Sequence, residues 1–327
     1  MRPLCFVTGA TGFLGRHLVP ALAARFRLRL LVRPGQRLDD LPGDDHELLP
    51  GRLGEQATMA SGVRDADCVV HLAALVSFRP RDRAAMHDVN VAATAQLAAA
   101  AREAGVRRFL HTSTISAVAC RDRPEAVDET ATYNFGPLHI GYCDTKFAAE
   151  QAVLAEVARG LDAVIVNPPS MYGAGDRRKG DGSLLTSVVS GQLRWAPPGG
   201  VNVASVQSVC RGMLQALDRG RSGERYILGG ENLTGSQLLQ RIAQLAGRPA
   251  PRHVLPRMLV QLAAGARRLQ ELSFGTDSPL TSEILKLATR FVFVSSAKAE
   301  HELGYRCETV DDGIRAALAE LAEENPR

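Results

Sequence analysis

Hydrophobic positions in the first half of the chain follow two alternating rhythms. Short apolar runs at Leu4–Thr8, Leu28–Val32, Asp67–Leu72, Val106–Thr112 and Ala163–Asn167 predict strands, and Glu47–Leu49 predicts a weaker one. Between them, apolar residues recur at helical spacing over Phe13–Arg25, Gln56–Arg64, Arg83–Ala104 and Tyr142–Arg159. Gly105 and Gly160 stop the last two helices. Strand and helix in alternation predict an α/β, doubly wound parallel sheet with helices on both faces. In such sheets ligands sit beyond the carboxyl ends of the strands.

The rhythm breaks after Pro168-Pro169. Glycine and proline thicken around Gly173–Gly182 and Pro197–Gly200, and shorter elements follow. This predicts a division into a dinucleotide-binding domain, residues 1–168, and a smaller C-terminal α/β substrate lobe, residues 169–327. At least one segment, about 200–220, is expected to return to the first sheet. Val209–Arg219 and Gly235–Leu245 read as returning helices. Leu255–Leu272 reads as an amphipathic helix packed on the lobe with a solvated face, rather than a membrane contact. Val310–Glu323 reads as a surface helix.

Composition narrows the class without naming a chemistry. The chain has 327 residues, 45% hydrophobic and 23% charged, as expected of a soluble globular protein. The net charge of +4 comes from scattered arginines, so no nucleic-acid partner is expected. The six cysteines form no C-x-x-C pair and show no metal-ligand spacing. No metal and a reducing, cytoplasmic location are the expectations. No leader peptide is expected, and no apolar run approaches the ~20 residues of a membrane span. A small-molecule substrate is the expected partner, with a homodimer as a further option.

Candidate chemistry begins at Thr8-Gly9-Ala10-Thr11-Gly12-Phe13-Leu14-Gly15, which follows a strand and opens a helix. That context makes it a phosphate-binding turn of a Rossmann-type domain. Gly9 permits the tight turn, Gly12 clears the approach of a pyrophosphate, and Gly15 lets the helix pack close to the strand. The backbone N–H groups of the helix start complete an anion site. About 20 residues on, an NAD site places an acid on the ribose, whereas an NADP site uses arginine. Here the second strand runs into Arg33, and no carboxylate follows until Asp39. NADP(H) is therefore the expected cofactor, with Arg33 as its main contact and Arg37 as a weaker one. The alternative for Arg33 is a solvated strand-end charge.

Further on, Tyr142-Cys143-Asp144-Thr145-Lys146 places a tyrosine and a lysine on one helix face. A nearby ammonium favours the phenolate and brings it towards the range useful for proton transfer. The glycine turn, the Asp67–Ala74 strand, Asn90-Val91, Thr112-Ser113-Thr114, Tyr142/Lys146 and Asn167-Pro168-Pro169 together resemble the extended short-chain dehydrogenase/reductase family, of the NAD-dependent epimerase/dehydratase type. Gly223–Thr234 and Ser295–Glu300 are similar to its dihydroflavonol 4-reductase-like branch, which includes hopanoid-associated sugar epimerases.

The resemblance implies roles at matching positions. Tyr142 is the proton donor or acceptor, Lys146 lowers its pKa and binds the nicotinamide ribose, and Thr114 is the catalytic Ser/Thr, with Ser113 the fallback. Cofactor contacts fall on Gly9, Thr11, Gly12, Phe13, Leu14, Gly15, Arg33, Arg52, Leu53, Leu72, Ala73, Ala74, Thr112, Tyr142, Lys146, Asn167, Pro168, Pro169 and Ser170. Val76, Phe78, Ser113, Met171 and Tyr172 are expected at the substrate. Two stretches depart from the family pattern: Gly51-Arg52-Leu53, where an acid is usual, and Ser205-Val206-Gln207-Ser208-Val209.

Three functions are compatible with these residues. The first is NADP(H)-dependent reduction of a carbonyl on a largely apolar substrate. Phe135, Leu184, Leu185, Val188 and Trp195 join Val76 and Phe78 as pocket candidates, or else belong to the lobe core. His139 is placed either in the pocket or on the surface. The second is sugar epimerisation or dehydration with a retained cofactor. The third is a non-catalytic NADPH-binding module, which has no need for Thr114, Tyr142 and Lys146 together.

Overall fold

The structure is a computed structural model that describes residues 2–36, 46–176, 184–191, 193–274, 278 and 280–324. Arg37 lies outside the described residues. Six strands and their crossovers build the first part: β1 (Leu4–Thr8), α1 (Phe13–Ala23), β2 (Arg27–Val32), β3 (Glu47–Pro50), α2 (Gln56–Val63), β4 (Cys68–His71), α3 (Arg83–Met86), α4 (Ala93–Glu103), β5 (Arg108–Thr112), α5 (Gly141–Val157) and β6 (Ala163–Asn167). The remainder is β7 (Ser170–Tyr172), α6 (Leu184–Val189), β8 (Trp195–Ala196), β9 (Gly200–Ser205), α7 (Val206–Arg219), β10 (Arg225–Ile227), β11 (Glu231–Thr234), α8 (Gly235–Leu245), β12 (His253–Val254), α9 (Arg257–Phe274), α10 (Ser282–Leu287), β13 (Phe291–Val292), α11 (Ala297–Leu303) and α12 (Asp311–Glu324).

A seven-stranded sheet carries the molecule, in the order β3-β2-β1-β4-β5-β6-β10, with every pairing parallel. This is the doubly wound Rossmann arrangement. Parallel strands buried on both faces read as continuous apolar runs. Accordingly β1 (LCFVT), β4 (CVVH) and β6 (AVIVN) are buried throughout. On one face α1 and α7 pack Leu18, Val19 and Leu22 against Val209, Met213 and Ala216. Full burial of each such leucine or valine contributes about 1.5–3 kcal/mol. On the other face α2, α4 and α5 supply Met59, Leu97, Ala98, Ala101 and Val153.

The chain between Val206 and Ile227 returns to this sheet. Helix α7 packs on α1, and β10 pairs with β6 through Tyr226↔Val166. The departing stretch Ser205–Val209 is thus the start of α7, with Ser205 as its N-cap accepting from Ser208 N. The lobe contributes a second sheet, β11-β9-β13, with β7 also paired to β9, and a two-stranded ribbon, β8 with β12. Its core is Leu185, Val188, Leu238, Leu239, Ile242, Ile314 and Ala317.

Three elements differ from the sequence reading. Arg83–Ala104 is not one continuous α-helix: a π-helical turn, His87–Ala92, divides it. Such turns insert one extra residue and often sit at functional sites. Helix α12 is docked, not merely superficial, because Ile314 and Ala317 enter the lobe core. Helix α9 turns its large apolar residues outward, with Met258 73%, Leu262 68%, Leu269 68% and Leu272 67% exposed. The solvated face expected to be polar is apolar.

Candidate active site

The carboxyl ends of β1, β2, β4, β5 and β6 lie along one edge of the sheet, and the glycine turn, Arg33, Ala73, Thr114, Tyr142 and Lys146 lie at or just beyond it. The glycine turn follows β1. Gly9 has φ +76°, and a Cβ on it would sit 2.6 Å from Ala73 N. The turn therefore lies directly against the chain leaving β4. A Cβ on Gly15 would lie 2.4 Å from the carbonyl oxygens of Gly9 and Ala10, so helix and turn touch. Gly12 is different: its nearest neighbour is Gly9 O at 3.2 Å, and space opens beyond it. Helix α1 has no side-chain cap and no acidic residue in its first turn. Its first N–H groups are left for an anion. The turn fits a dinucleotide pyrophosphate. Phe13 and Leu14 bury their side chains in the core, which leaves their backbone for that contact.

Arg33 follows β2 and is exposed, its Nε donating to Gln36 Oε1 at 3.0 Å. Because Thr8 pairs with Leu31, Arg33 stands beside the glycine turn at the strand edge. Arg52 is exposed after β3, its backbone N–H capped by Glu55, while Leu53 packs against the sheet core. Leu72, Ala73 and Ala74 are half-buried beyond β4. Thr8 Oγ1 fastens this segment, accepting from Ala73 N at 3.3 Å and bonding His71 Nδ1 at 2.6 Å. The other ring nitrogen of His71 meets Thr94 Oγ1 at 2.9 Å. Burial, with the charge of Lys146, holds His71 down at about 3. The same causes, with His71 added, hold His111 well below its usual range.

Asn90 ties the next loop in place. Its side chain accepts from Leu75 N at 2.8 Å, donates to Leu75 O at 2.9 Å and reaches Thr145 Oγ1 at 3.2 Å. One buried amide thereby joins the π-helical turn, the loop after β4 and helix α5. That loop bears Val76, which is 39% exposed, and Phe78, whose ring meets Tyr142 edge-on at 5.6 Å.

Tyr142 is half-buried in the first turn of α5. No side chain of its own helix caps that turn; instead Glu283 of α10 accepts from Gly141 N at 3.1 Å. A carboxylate suits a helix N-terminus. Burial nevertheless pushes Glu283 up to about 7, with the Gly141 N–H and Arg83 opposing. One turn below Tyr142, Lys146 is buried and its Nζ donates to Thr112 O at 2.7 Å. Burial pulls its ammonium down to about 8, and Glu150 pulls it back up. Glu150 lies one turn further along, fully buried, held by Asn167 Nδ2 at 2.7 Å and Arg225 Nη1 at 3.3 Å. Burial raises its carboxyl.

Thr114 lies half-buried in extended backbone, and its Oγ1 accepts from Ser116 N at 3.3 Å. The strand ends are stitched together around it, by Ser113 N to Val166 O at 2.8 Å and Ile115 N to Pro168 O at 3.0 Å. Asn167 adds a bond from Nδ2 to Thr114 O at 2.9 Å. Asn167, Pro168 and Pro169 are buried, and Ser170 is half-buried.

Several expected pocket residues stand elsewhere. Tyr172 is 3% exposed and packs in the lobe core, because β7 turns alternate residues to opposite faces. Met171 packs against the core shared by α1 and α7. Ser113, the fallback for Thr114, is 6% exposed and lies beneath the strand edge. Phe135 is a core residue at 0%, as are Leu185 and Val188 at 2% and 3%, while Leu184 is 39% exposed. Trp195 sits on the β8–β12 ribbon, its ring 5.1 Å from that of His253. His139 is exposed in left-handed backbone.

Sequence reasoning gave Asn90 and Glu150 no role. Glu150 had a signal, since it lies eight residues after Tyr142 and four after Lys146 on the same helix face. Asn90 was marked by the Asn90-Val91 motif, but its partners Leu75 and Thr145 are distant in sequence, so its clamping role was not. A surface cleft lined by Glu129, Tyr133, Phe147, Arg225 and Lys298 contains none of the glycine-turn or Tyr142/Lys146 residues. Among the described residues no group of His, Cys, Asp and Glu could hold a metal ion. No helix among them is long and apolar enough to cross a membrane.

A seven-stranded Rossmann sheet, an open glycine turn and a tyrosine–lysine pair at its carboxyl edge define an oxidoreductase of short-chain dehydrogenase/reductase type. The sequence profile of the NAD dependent epimerase/dehydratase family matches residues 5–229, and the chain belongs to that family. It is 34% identical to sterol demethylase protein B of Methylococcus capsulatus over 96% of this chain and 95% of that one. It is 34% identical to the 4-hydroxy-2-methyl-3-oxo-4-farnesyl-3,4-dihydroquinoline-1-oxide ketoreductase of Stigmatella aurantiaca, over 92% and 91%. Among solved structures it resembles PA4631, a nucleoside-diphosphate-sugar epimerase of Pseudomonas aeruginosa, with a TM-score of 0.79, 26% identity and 99% of each chain covered.

Proposed function

We propose that the chain is an NADP(H)-dependent reductase of a ketone or aldehyde carried on a largely apolar small molecule. The reading rests above all on Lys146, buried four residues after Tyr142 and fixed on Thr112 O at 2.7 Å. A buried ammonium costs stability, and one retained at a strand edge in a cofactor-binding fold points to chemistry.

The glycine turn, Arg33, Ala73, Ala74 and Lys146 are the groups that hold the dinucleotide, and its nicotinamide supplies the hydride when bound. Tyr142 donates its phenolic proton to the carbonyl oxygen as that oxygen gains charge. Thr114 donates a hydrogen bond to the same oxygen and orients it. Both interactions strengthen as charge develops, which lowers the barrier. Lys146 stabilises the phenolate left on Tyr142. The amide of Asn90 fixes the loop bearing Phe78, whose ring limits water on one side of Tyr142.

The apolar substrate is supported by Val76 and Phe78 beside Tyr142. It is also supported by relatives named for a sterol and for a farnesyl-bearing ketone. NADP(H) is supported by Arg33, since a guanidinium grips a 2′-phosphate bidentately. A cytoplasmic location and a homodimer remain proposals of the sequence.

The test is NADPH oxidation with a panel of apolar ketones and aldehydes beside nucleotide sugars. Turnover of apolar carbonyls, lost in Tyr142→Phe with NADPH binding retained, is the expected result. Turnover of nucleotide sugars alone, or an active Tyr142→Phe, overturns the reading.

A further inference from the structure

Helix α9 is amphipathic in the inverted sense. Met258, Leu262, Leu269 and Leu272 fall within an arc of about 80° at helical spacing, and all are at least 67% exposed. Leu259, at 56%, flanks them. The inward face holds Val260 and Ala264, but also the charged groups. Glu271 accepts from Ser282 N at 2.8 Å, Arg267 donates to Leu280 O at 3.0 Å, and Arg257 binds Asp122. Leaving such a stripe in water forgoes the burial that normally forms a surface helix.

The ribbon beside α9 continues the same surface. Trp195 is 46% exposed and Val254 48%, and β12 leads into α9 across Leu255 and Pro256. The exposed charge on the ribbon itself is basic. Arg194 and Arg252 are exposed on the ribbon, and Arg121 and Arg123 are exposed near the α9 start. No aspartate or glutamate occurs between Glu231 and Glu271. Among the described acids nearby, Asp122 is held by Arg257 and Arg290, Glu271 is turned onto Ser282, and Glu125 is exposed beside Arg123.

We propose that α9 and the β8–β12 ribbon form a docking face for a bilayer surface containing anionic lipid. Leucines immersed beside an exposed tryptophan, with arginines at one end, are a pattern by which a helix lies in the membrane interface without crossing it. The arginines would meet the lipid phosphates, and the apolar stripe the acyl boundary. This goes beyond the reductase reading and stands without it. If both hold, the two surfaces are neighbours, because α10 packs against α9 and its Glu283 caps the helix of Tyr142.

The experiment is co-sedimentation of the purified full chain, without cofactor or substrate, with phosphatidylcholine vesicles containing or lacking phosphatidylglycerol. Binding to the anionic vesicles, weakened by salt, is the expected result. Leu262→Gln with Leu269→Gln should reduce it by about tenfold or more. Arg194→Gln with Arg252→Gln should remove much of the salt-dependent part. Thermal melting of both variants should match the parent. No pelleting with anionic vesicles, or pelleting unchanged in the leucine variant, overturns the proposal. So does sedimentation velocity in which that variant dissociates a dimer, because a second copy then covers the face. None of these readouts depends on enzyme activity.

Discussion

Lys146 Nζ and Thr112 O, 2.7 Å apart, join helix α5 to the end of β5 beneath the candidate site. The bond fixes the ammonium in a place where burial disfavours its charge. With its pKa drawn down to about 8, Lys146 loses its proton near the upper end of the working range. Activity that needs the ammonium should fall above pH 8, and Lys146→Arg should move the fall upward. The linkage sign is opposite for stability. The folded lysine binds fewer protons than the unfolded one between pH 8 and its ordinary 10.5, so its burial penalty fades as pH rises. Against Lys146→Met, the parent should gain up to about 3 kcal/mol across that window, read by denaturant unfolding. A constant difference would refute the buried charge.

The glycine turn separates folding from binding. Gly12→Ala meets only Gly9 O at 3.2 Å, so the variant should fold with a loss within about 1 kcal/mol. Its dinucleotide affinity should nevertheless fall about tenfold or more, because the methyl group occupies the pyrophosphate approach. Gly15→Ala forces a methyl to 2.4 Å from two carbonyls and should cost several kcal/mol in stability. Titration of NADPH fluorescence and chemical unfolding measure the two effects. Equal loss of both in Gly12→Ala would contradict the assignment.

Arg33 is the residue proposed to discriminate between cofactors. Arg33→Ala should weaken NADPH by about tenfold to a hundredfold and leave NADH nearly unchanged. Equal affinity of the parent for the two cofactors would remove the case for NADP(H).

Asn90 is a positioning residue. Asn90→Ala strands the N–H and C=O of Leu75, each bonded only through that amide in the described structure, and should cost about 1–3 kcal/mol. The loop of Phe78 should loosen with it. The kinetic signature is a loss in kcat with NADPH affinity retained. Asn90→Ala with unchanged melting and kcat would show the clamp to be dispensable.

What was legible in the sequence was what is local. Gly9, Gly12 and Gly15 lie within one short segment after a strand, and Tyr142 and Lys146 lie four apart on one helix, so spacing and local context marked them. Alternating strands and helices gave the parallel sheet for the same reason. Tyr172 was misplaced because a three-residue strand shows its two faces equally, and only the partner β9 decides which is inside. Asn90 was marked by resemblance, but its clamping role escaped because its partners, Leu75 and Thr145, are distant in sequence. Helix α9 escaped because periodicity reveals a stripe and not its direction. Only the packed lobe shows that the stripe faces away.

The π-helical turn at His87–Ala92 sets the phase of two half-helices at the carboxyl edge of the sheet. It contains one residue more than the α-turn it replaces. On its N-terminal side, Met86 sits under Gly141; on its C-terminal side, Leu97 and Ala101 lock into the sheet. The turn is thus a phase shifter between two independently seated half-helices. Deleting one residue would rotate one half against the other by about 100°. Either the sheet contacts or the Asn90 anchorage would then slip out of step. The alignment of the loop over Tyr142 is set, like the teeth of a vernier, by a single residue of backbone.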